Sequence, residues 1–234
     1  MTAMTMNAQT SSAAIIRQLV LKDWYFVRYP MAAYLATGIA AAVLMSVPHQ
    51  MAFMIGSILL LSVVVIVGIH LVFGTVIHER SQQTLPMIMS LPITFRQYSV
   101  AKLMSNVGGF AIAWAVLFAV TVAVILTRDN LPDGLVPFAV IALTELFAAF
   151  VLTFAVAMIS ESEAWTIVTM TIFNIGISIF LNLVGSIPAI GSHMGGPSPV
   201  WNGTVFLILA ILGLIIAAAI FITFAAQARK KNLL

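Results

Sequence analysis

Six long apolar runs constrain this chain more than any other feature. They lie at about 30–47, 51–77, 103–126, 135–159, 165–187 and 204–226. About 20 helical residues, each rising 1.5 Å, cross the hydrocarbon core of a bilayer. A soluble protein has roughly a quarter charged residues, whereas only 7% of these 234 residues are charged and 62% are hydrophobic. The sequence therefore predicts an all-α integral membrane protein with six transmembrane helices.

The positions of the basic residues predict the orientation of these helices, because cytoplasmic loops carry an excess of Lys and Arg. With the N-terminus inside, nine of the ten basic residues fall on one side, and only Arg128 falls on the other. The nine are Arg17, Lys22, Arg28, Arg80, Arg96, Lys102, Arg229, Lys230 and Lys231. We therefore expect a multi-pass protein of the cell (plasma) membrane with both termini cytoplasmic. The lipid bilayer, and not a nucleic acid, is the partner that these charges indicate.

The residues before the first span have two interpretations. Residues 1–14 are polar and are expected to form a flexible N-terminal tail, and residues 15–234 are expected to form a single transmembrane domain. Residues 15–29 have basic and apolar arcs at helical spacing, except that Asp23 falls among the apolar residues. This segment is either an interfacial helix on the membrane surface or an extension of the first span.

The connector after the second span, HERSQQTLPMIMSLPITFRQYSVAKL at 78–103, collects charge, amide and proline. Pro is tolerated at a helix start and disfavours helical geometry in the residue before it. Pro86 and Pro92 therefore bound a short predicted helix with an apolar face. Thr94 and Gln97 have the spacing of a capping box, which predicts that the next helix begins at Phe95. In the alternative interpretation, the methionines of this segment dip back into the headgroup region.

A family resemblance adds to this interpretation. The connector contains Glu79, Thr84-Leu85, Ser90-Leu91-Pro92-Ile93, Tyr98 and Ala101-Lys102 in this order. This pattern resembles the signature of ABC transporter permeases of the type-2 export class, although Gln83 stands where the family usually has Gly. The six-span layout extends the resemblance over the whole chain.

The resemblance implies that the connector is a coupling helix docked on a separate ABC ATPase subunit. It also implies a complex of two permease chains, as a homodimer, with two ATPases. By the same resemblance, the segment before the first span is similar to the family's interfacial connecting helix. The implied ATPase-coupling residues are Glu79, Arg80, Thr84, Leu85, Met87, Ile88, Leu91, Pro92, Tyr98 and Lys102.

The sequence contains no Gly-x-x-x-x-Gly-Lys-Ser/Thr phosphate-binding loop. We therefore expect a transport subunit that is not itself an enzyme and binds no cofactor of its own. ATP and Mg would bind at the partner ATPase. The cargo would be hydrophobic or amphipathic, such as a peptide, lipid or drug, because the spans are sparsely charged.

Two ionisable residues and one polar stripe lie within the predicted spans. Glu145 lies near the middle of the fourth span and His70 lies near the inner end of the second, and such residues are expensive in a membrane. A polar stripe at helical spacing follows the fifth span and predicts either a translocation path or a helix-packing surface. Its members are Thr171, Asn174, Ser178 and Asn182, and Glu145 is a further candidate for the path.

Other functions remain open from the sequence. A proton-coupled secondary transporter using Glu145 and His70 is the main alternative, and a structural assembly factor is another. An intramembrane enzyme is disfavoured, because the chain lacks His-Glu-x-x-His and Gly-x-Ser-x-Gly motifs, clustered acidic metal ligands and any cysteine. No catalytic residue and no metal site is predicted.

Overall fold

The computed structural model describes residues 2–81 and 94–229, and these residues contain helices and no strand. The helices are α1 (Thr2–Met45), α2 (Gln50–Val72), α3 (His78–Ser81), α4 (Phe95–Leu103), α5 (Gly109–Thr127), α6 (Leu135–Ser160), α7 (Glu163–Ser186), α8 (Pro188–Gly191) and α9 (Gly203–Arg229). Two π-helical segments interrupt this series. The first, Phe73–Ile77, joins α2 to α3, and the second, Met104–Gly108, joins α4 to α5.

Six helical stretches are long and apolar enough to cross a membrane. They are Ser12–Met45, Gln50–Ile77, Arg96–Thr127, Leu135–Ser160, Glu163–Ser186 and Gly203–Arg229. The six predicted spans are thereby confirmed by length and composition. The architecture is that of an all-helical, multi-pass membrane protein.

The N-terminal helix differs from the prediction of a separate interfacial helix. Helix α1 runs for 44 residues from Thr2 to Met45, with Pro30 inside it, so residues 15–29 are continuous with the first span. The prediction of a separate interfacial helix is therefore wrong, and residues 15–29 extend the span. The physical reason is Asp23, which is buried against the other helices and holds this part of α1 to the bundle. Residues 2–14, for which a flexible tail was predicted, are also helical.

The centre of the bundle is built by close packing of apolar helices. Small residues bring α1 and α2 together, since Ala41 and Ala42 are fully buried where Gly56 meets α1. Helix α6 is the most buried span, and its Phe150 ring stacks on Phe110 of α5 with the ring centroids 3.9 Å apart. Helix α7 is the opposite case, since only 6% of the residues in its apolar stretch are buried against the rest of the described chain.

The start of α4 has the predicted cap. The backbone N–H of Gln97 donates to Thr94 Oγ1 at 3.2 Å, and the backbone N–H of Thr94 donates to Gln97 Oε1 at 2.8 Å. Helix α4 begins at Phe95, so the capping box and the helix start are both confirmed. The predicted helix between Pro86 and Pro92 lies outside the described residues.

Candidate functional site

Two acidic and two basic side chains from three helices meet at one end of the bundle. Lys22 and Asp23 come from α1, Glu79 comes from α3, and Lys102 comes from α4. We call these four residues the charge cluster. Asp23 and Lys102 are 79 positions apart in the chain, so only the folded bundle brings them together.

Lys102 is the centre of the charge cluster. Its Nζ lies 3.0 and 2.9 Å from the two carboxylate oxygens of Asp23 and 2.9 Å from Glu79 Oε1. It also donates to the backbone carbonyl of Thr75 at 2.8 Å. The Lys102 side chain is only 3% exposed. An ammonium group has three N–H donors, and four acceptor atoms surround this one, so each donor has an acceptor.

The two carboxylates take further donors from neighbouring helices. Glu79 Oε1 accepts from Lys22, and its Oε2 accepts from the Tyr98 hydroxyl at 3.0 Å. Asp23 Oδ2 accepts from the Ser105 hydroxyl at 2.8 Å. These bonds connect α1, α3, α4 and the second π-helical segment through buried charge-assisted contacts, which are stronger than neutral hydrogen bonds.

Both π-helical segments pass beside the charge cluster and contact each other. Thr75 Oγ1 donates toward Asn106 Oδ1 at 2.9 Å, and Asn106 Nδ2 donates to the Lys102 carbonyl at 3.0 Å. Asn106 is fully buried. π-Helical turns are rare in proteins, and those that do occur frequently lie at functional sites. Here they place backbone and side-chain oxygens next to the buried ammonium group.

The electrostatics of the charge cluster depend on complete pairing. Two positive and two negative groups give it no net charge, and burial of any one of them alone would be costly. Burial by itself raises the pKa of Glu79. The ammonium groups of Lys102 and Lys22, with their hydrogen bonds, outweigh that effect and hold the pKa of Glu79 below its ordinary value of 4.5. Glu79 is therefore ionised at neutral pH.

We expect the stabilising contribution of Glu79 to be lost in acid. Its pKa is lower in the folded than in the unfolded chain, so it stabilises the fold fully above its ordinary value of 4.5. This contribution declines as the pH falls below that value and through the lower folded pKa. E79Q should therefore flatten the acid limb of a plot of unfolding free energy against pH, measured in mixed micelles. The control E163Q alters an exposed carboxylate and should leave the acid limb steep; an unchanged limb in E79Q would contradict the prediction.

The structure brings together only part of the predicted coupling set. Glu79, Tyr98 and Lys102 meet in the charge cluster, and the backbone of Arg80 lies in α3. The others lie outside the described residues: Thr84, Leu85, Met87, Ile88, Leu91 and Pro92. Sequence reasoning missed Lys22, Asp23, Thr75, Ser105 and Asn106. The available signal was Asp23 itself, because an acid in an apolar arc needs a cationic partner from another helix.

The ionisable residues inside the membrane do not form a pair. Glu145 is 9% exposed, and its Oε2 has no hydrogen-bond partner. His70 instead lies beside Tyr34, with its Nδ1 3.5 Å from the tyrosine hydroxyl. The part of the chain that the structure describes holds no group of three or more acidic or histidine side chains suited to a metal ion.

The polar stripe of the fifth span lies on the outside of the bundle. Its four residues, Thr171, Asn174, Ser178 and Asn182, are all exposed. The amide of Asn174 donates to the Met170 carbonyl of its own helix at 2.8 Å, and the amide of Asn182 donates to the Ser178 carbonyl at 3.0 Å. The stripe therefore does not serve to pack α7 against another described helix of the same chain.

Comparison with known proteins gives no assignment. No protein-family model, no curated protein and no solved structure matches this chain. Three of the four charged groups of the charge cluster, those of Asp23, Glu79 and Lys102, are buried, and the four groups neutralise one another. The cluster is therefore suited to holding helices in a fixed arrangement.

Proposed function

We propose that this chain is the membrane-spanning permease subunit of an ATP-driven ABC exporter of the type-2 class. A separate ATPase subunit, which holds ATP and Mg, docks on the connector at 79–98. Two permease chains and two ATPases form the complex. Movement of the connector switches access across the membrane and exports hydrophobic or amphipathic cargo, such as a peptide, lipid or drug.

The observation that carries this proposal is the attachment of the connector at both of its ends. Glu79 at its start and Tyr98 near its end share a hydrogen bond, and both ends are tied to α1 through Lys22, Asp23 and Lys102. A force applied to the connector by a docked protein would therefore reach three helices through buried ion pairs. A connector attached in this way is suited to transmit motion into the bundle.

The orientation with both termini cytoplasmic is supported by the two ends of the bundle. At the end opposite the charge cluster, Asn130 Nδ2 donates to the Ser46 carbonyl, and the backbone N–H of Gly134 donates to the Gly196 carbonyl. That end holds Arg128. The basic residues Lys22, Arg96 and Lys102 lie at the charge cluster's end, which is cytoplasmic by the distribution of positive charge.

The exposed face of α7 supports association with a second copy. Its polar stripe faces outward among large apolar side chains, of which Ile172, Ile175 and Ile179 are about 60% exposed. Polar side chains turned toward lipid are unfavourable, and small or polar residues are common where membrane helices meet. A second permease chain covering this face would bury the stripe and border a path for cargo.

The test of this proposal is the variant L91K on the predicted apolar face of the connector. We expect it to insert normally and to lower copurification of the ATPase subunit, and cargo-stimulated ATP hydrolysis, by at least about tenfold, as for an interface hot spot. The control V47K adds the same charge to an exposed site between α1 and α2, at the opposite end of the bundle, and should leave both readouts unchanged. Normal coupling in L91K would refute the proposal.

A proton-coupled secondary transporter is the second candidate, and the buried carboxyl of Glu145 favours it. A buried carboxyl with one oxygen, Oε2, that has no hydrogen-bond partner is suited to gain and lose a proton. The two functions separate in reconstituted vesicles. Transport that follows a pH gradient without any ATPase, and that E145Q abolishes, would establish the second candidate and exclude the first.

A further inference from the structure

Arg28 of α1 lies between two exposed tyrosines. Its guanidinium carbon is 4.3 Å from the centroid of the Tyr25 ring and 4.6 Å from that of Tyr29. Its Nη2 donates to the Tyr29 hydroxyl at 3.1 Å. The tyrosines are 61% and 72% exposed. Cation–π contact with both rings fixes the orientation of the guanidinium at the outer surface of the bundle.

The positive charge of Arg28 is not neutralised within the described part of the chain. No carboxylate of these residues lies within 4 Å of it, in contrast to Lys22 and Lys102. Its Nε–H is covered and has no acceptor. The hydroxyl of Tyr29 accepts from Arg28, so its own proton is available for donation. Arg28 and Tyr29 therefore present several N–H and O–H donors and no acceptor that matches them.

The depth of Arg28 places these donors at the surface of the membrane. Arg28 precedes the end of α1 at Met45 by 17 residues, or about 26 Å of helix, which is close to the thickness of the hydrocarbon core. Trp24 and Tyr25 are exposed on the same turns of α1. Aromatic side chains of this kind are enriched at the level of the lipid headgroups.

We propose that Arg28, Tyr25 and Tyr29 form a binding site for the phosphodiester of an anionic phospholipid. A planar guanidinium binds phosphate oxygens through two parallel N–H bonds, and a lipid headgroup reaches this depth from the side of the bundle. The net negative charge of the lipid neutralises Arg28. The site depends on α1 alone and does not rest on the proposed export function.

The test uses the full chain in detergent and native mass spectrometry with phosphatidylglycerol, phosphatidylcholine or inorganic phosphate. We expect phosphatidylglycerol to bind at least about tenfold more tightly than phosphatidylcholine, because only the former brings net charge. R28Q should remove this preference, and R28K should weaken it, since an ammonium group lacks the planar pair of donors. The control R17Q removes an exposed basic residue of the same helix without stacked tyrosines and should change the affinity less than twofold.

Three results would overturn the proposal. Equal losses of affinity for phosphatidylglycerol in R28Q and R17Q would show that nonspecific electrostatic attraction to basic residues holds the anionic lipid. Equal binding of the two lipids by the unaltered chain would show that no anionic lipid is selected. Displacement of phosphatidylglycerol by millimolar inorganic phosphate would assign the site to a free anion. R28K keeps the positive charge and is the control for a folding defect in R28Q, which would otherwise resemble a loss of lipid binding.

Discussion

K102M is expected to lower the free energy of unfolding by about 3–5 kcal/mol, the largest effect of any single substitution in the charge cluster. The methionine retains an unbranched apolar stem of similar length but leaves Asp23 and Glu79 buried with too little positive charge. The Thr75 carbonyl also loses its donor from Lys102. Reversible unfolding in mixed micelles measures the change.

The matched control is R96M, which removes an exposed basic residue from the same helix, α4. It should cost no more than about 0.5 kcal/mol, as is usual for surface substitutions. A double-mutant cycle with E79Q adds a second check, because removing a negative charge should restore part of the stability lost in K102M. Similar losses in K102M and R96M, or strict additivity in the cycle, would show that the charge cluster does not hold the helices together.

G56A is expected to destabilise the bundle by about 1–3 kcal/mol through overpacking. A Cβ at this position would lie 2.7 Å from the Met45 backbone nitrogen and 2.8 Å from the Ala41 carbonyl oxygen. Both are backbone atoms of α1, so no side chain can rotate away. The helices have to separate, and the packing of Ala41 and Ala42 is lost with them. G56L should have a larger effect than G56A, measured by the same unfolding experiment.

The control for G56A is G213A in α9, where an added Cβ meets nothing within 4 Å. Alanine has a higher helix propensity than glycine, by up to about 1 kcal/mol. G213A should therefore be neutral or stabilising, whereas G56A should be destabilising. A stabilising G56A would mean that α1 and α2 do not approach as closely as the structure has them.

The spans and the start of α4 were predictable because each depends on local sequence. A run of apolar residues predicts a membrane helix wherever it occurs, and the Thr94–Gln97 cap acts within one turn. The charge cluster was not predictable in this way, since it depends on which helices are neighbours. Periodicity along α1 places Asp23 among apolar residues, and nothing local indicates that Lys102 is its partner. The coupling role of the connector stays a prediction from resemblance.

The same distinction explains the two interpretations of residues 15–29. An amphipathic pattern describes a helix on a membrane surface and a helix packed on a bundle equally well, because both bury one face. Only the ion pair between Asp23 and Lys102 decides between them. The sequence also left undecided whether the α7 stripe is exposed or packed against another helix. Small and polar residues follow the same spacing at a helix contact and along a water-filled path.

The π-helical segment Phe73–Ile77 fixes the rotational register of the residues that follow it. It accommodates one extra residue in a turn, so every later side chain is offset by about 100° from its position in an uninterrupted α-helix. Glu79 points at Lys102 only with that offset. An uninterrupted α-helix over the same residues would still be long enough to cross the membrane, yet it would turn the Glu79 carboxylate away from the ammonium groups that neutralise it. A single-residue deletion in this segment would instead remove the extra residue and leave the carboxylate in place.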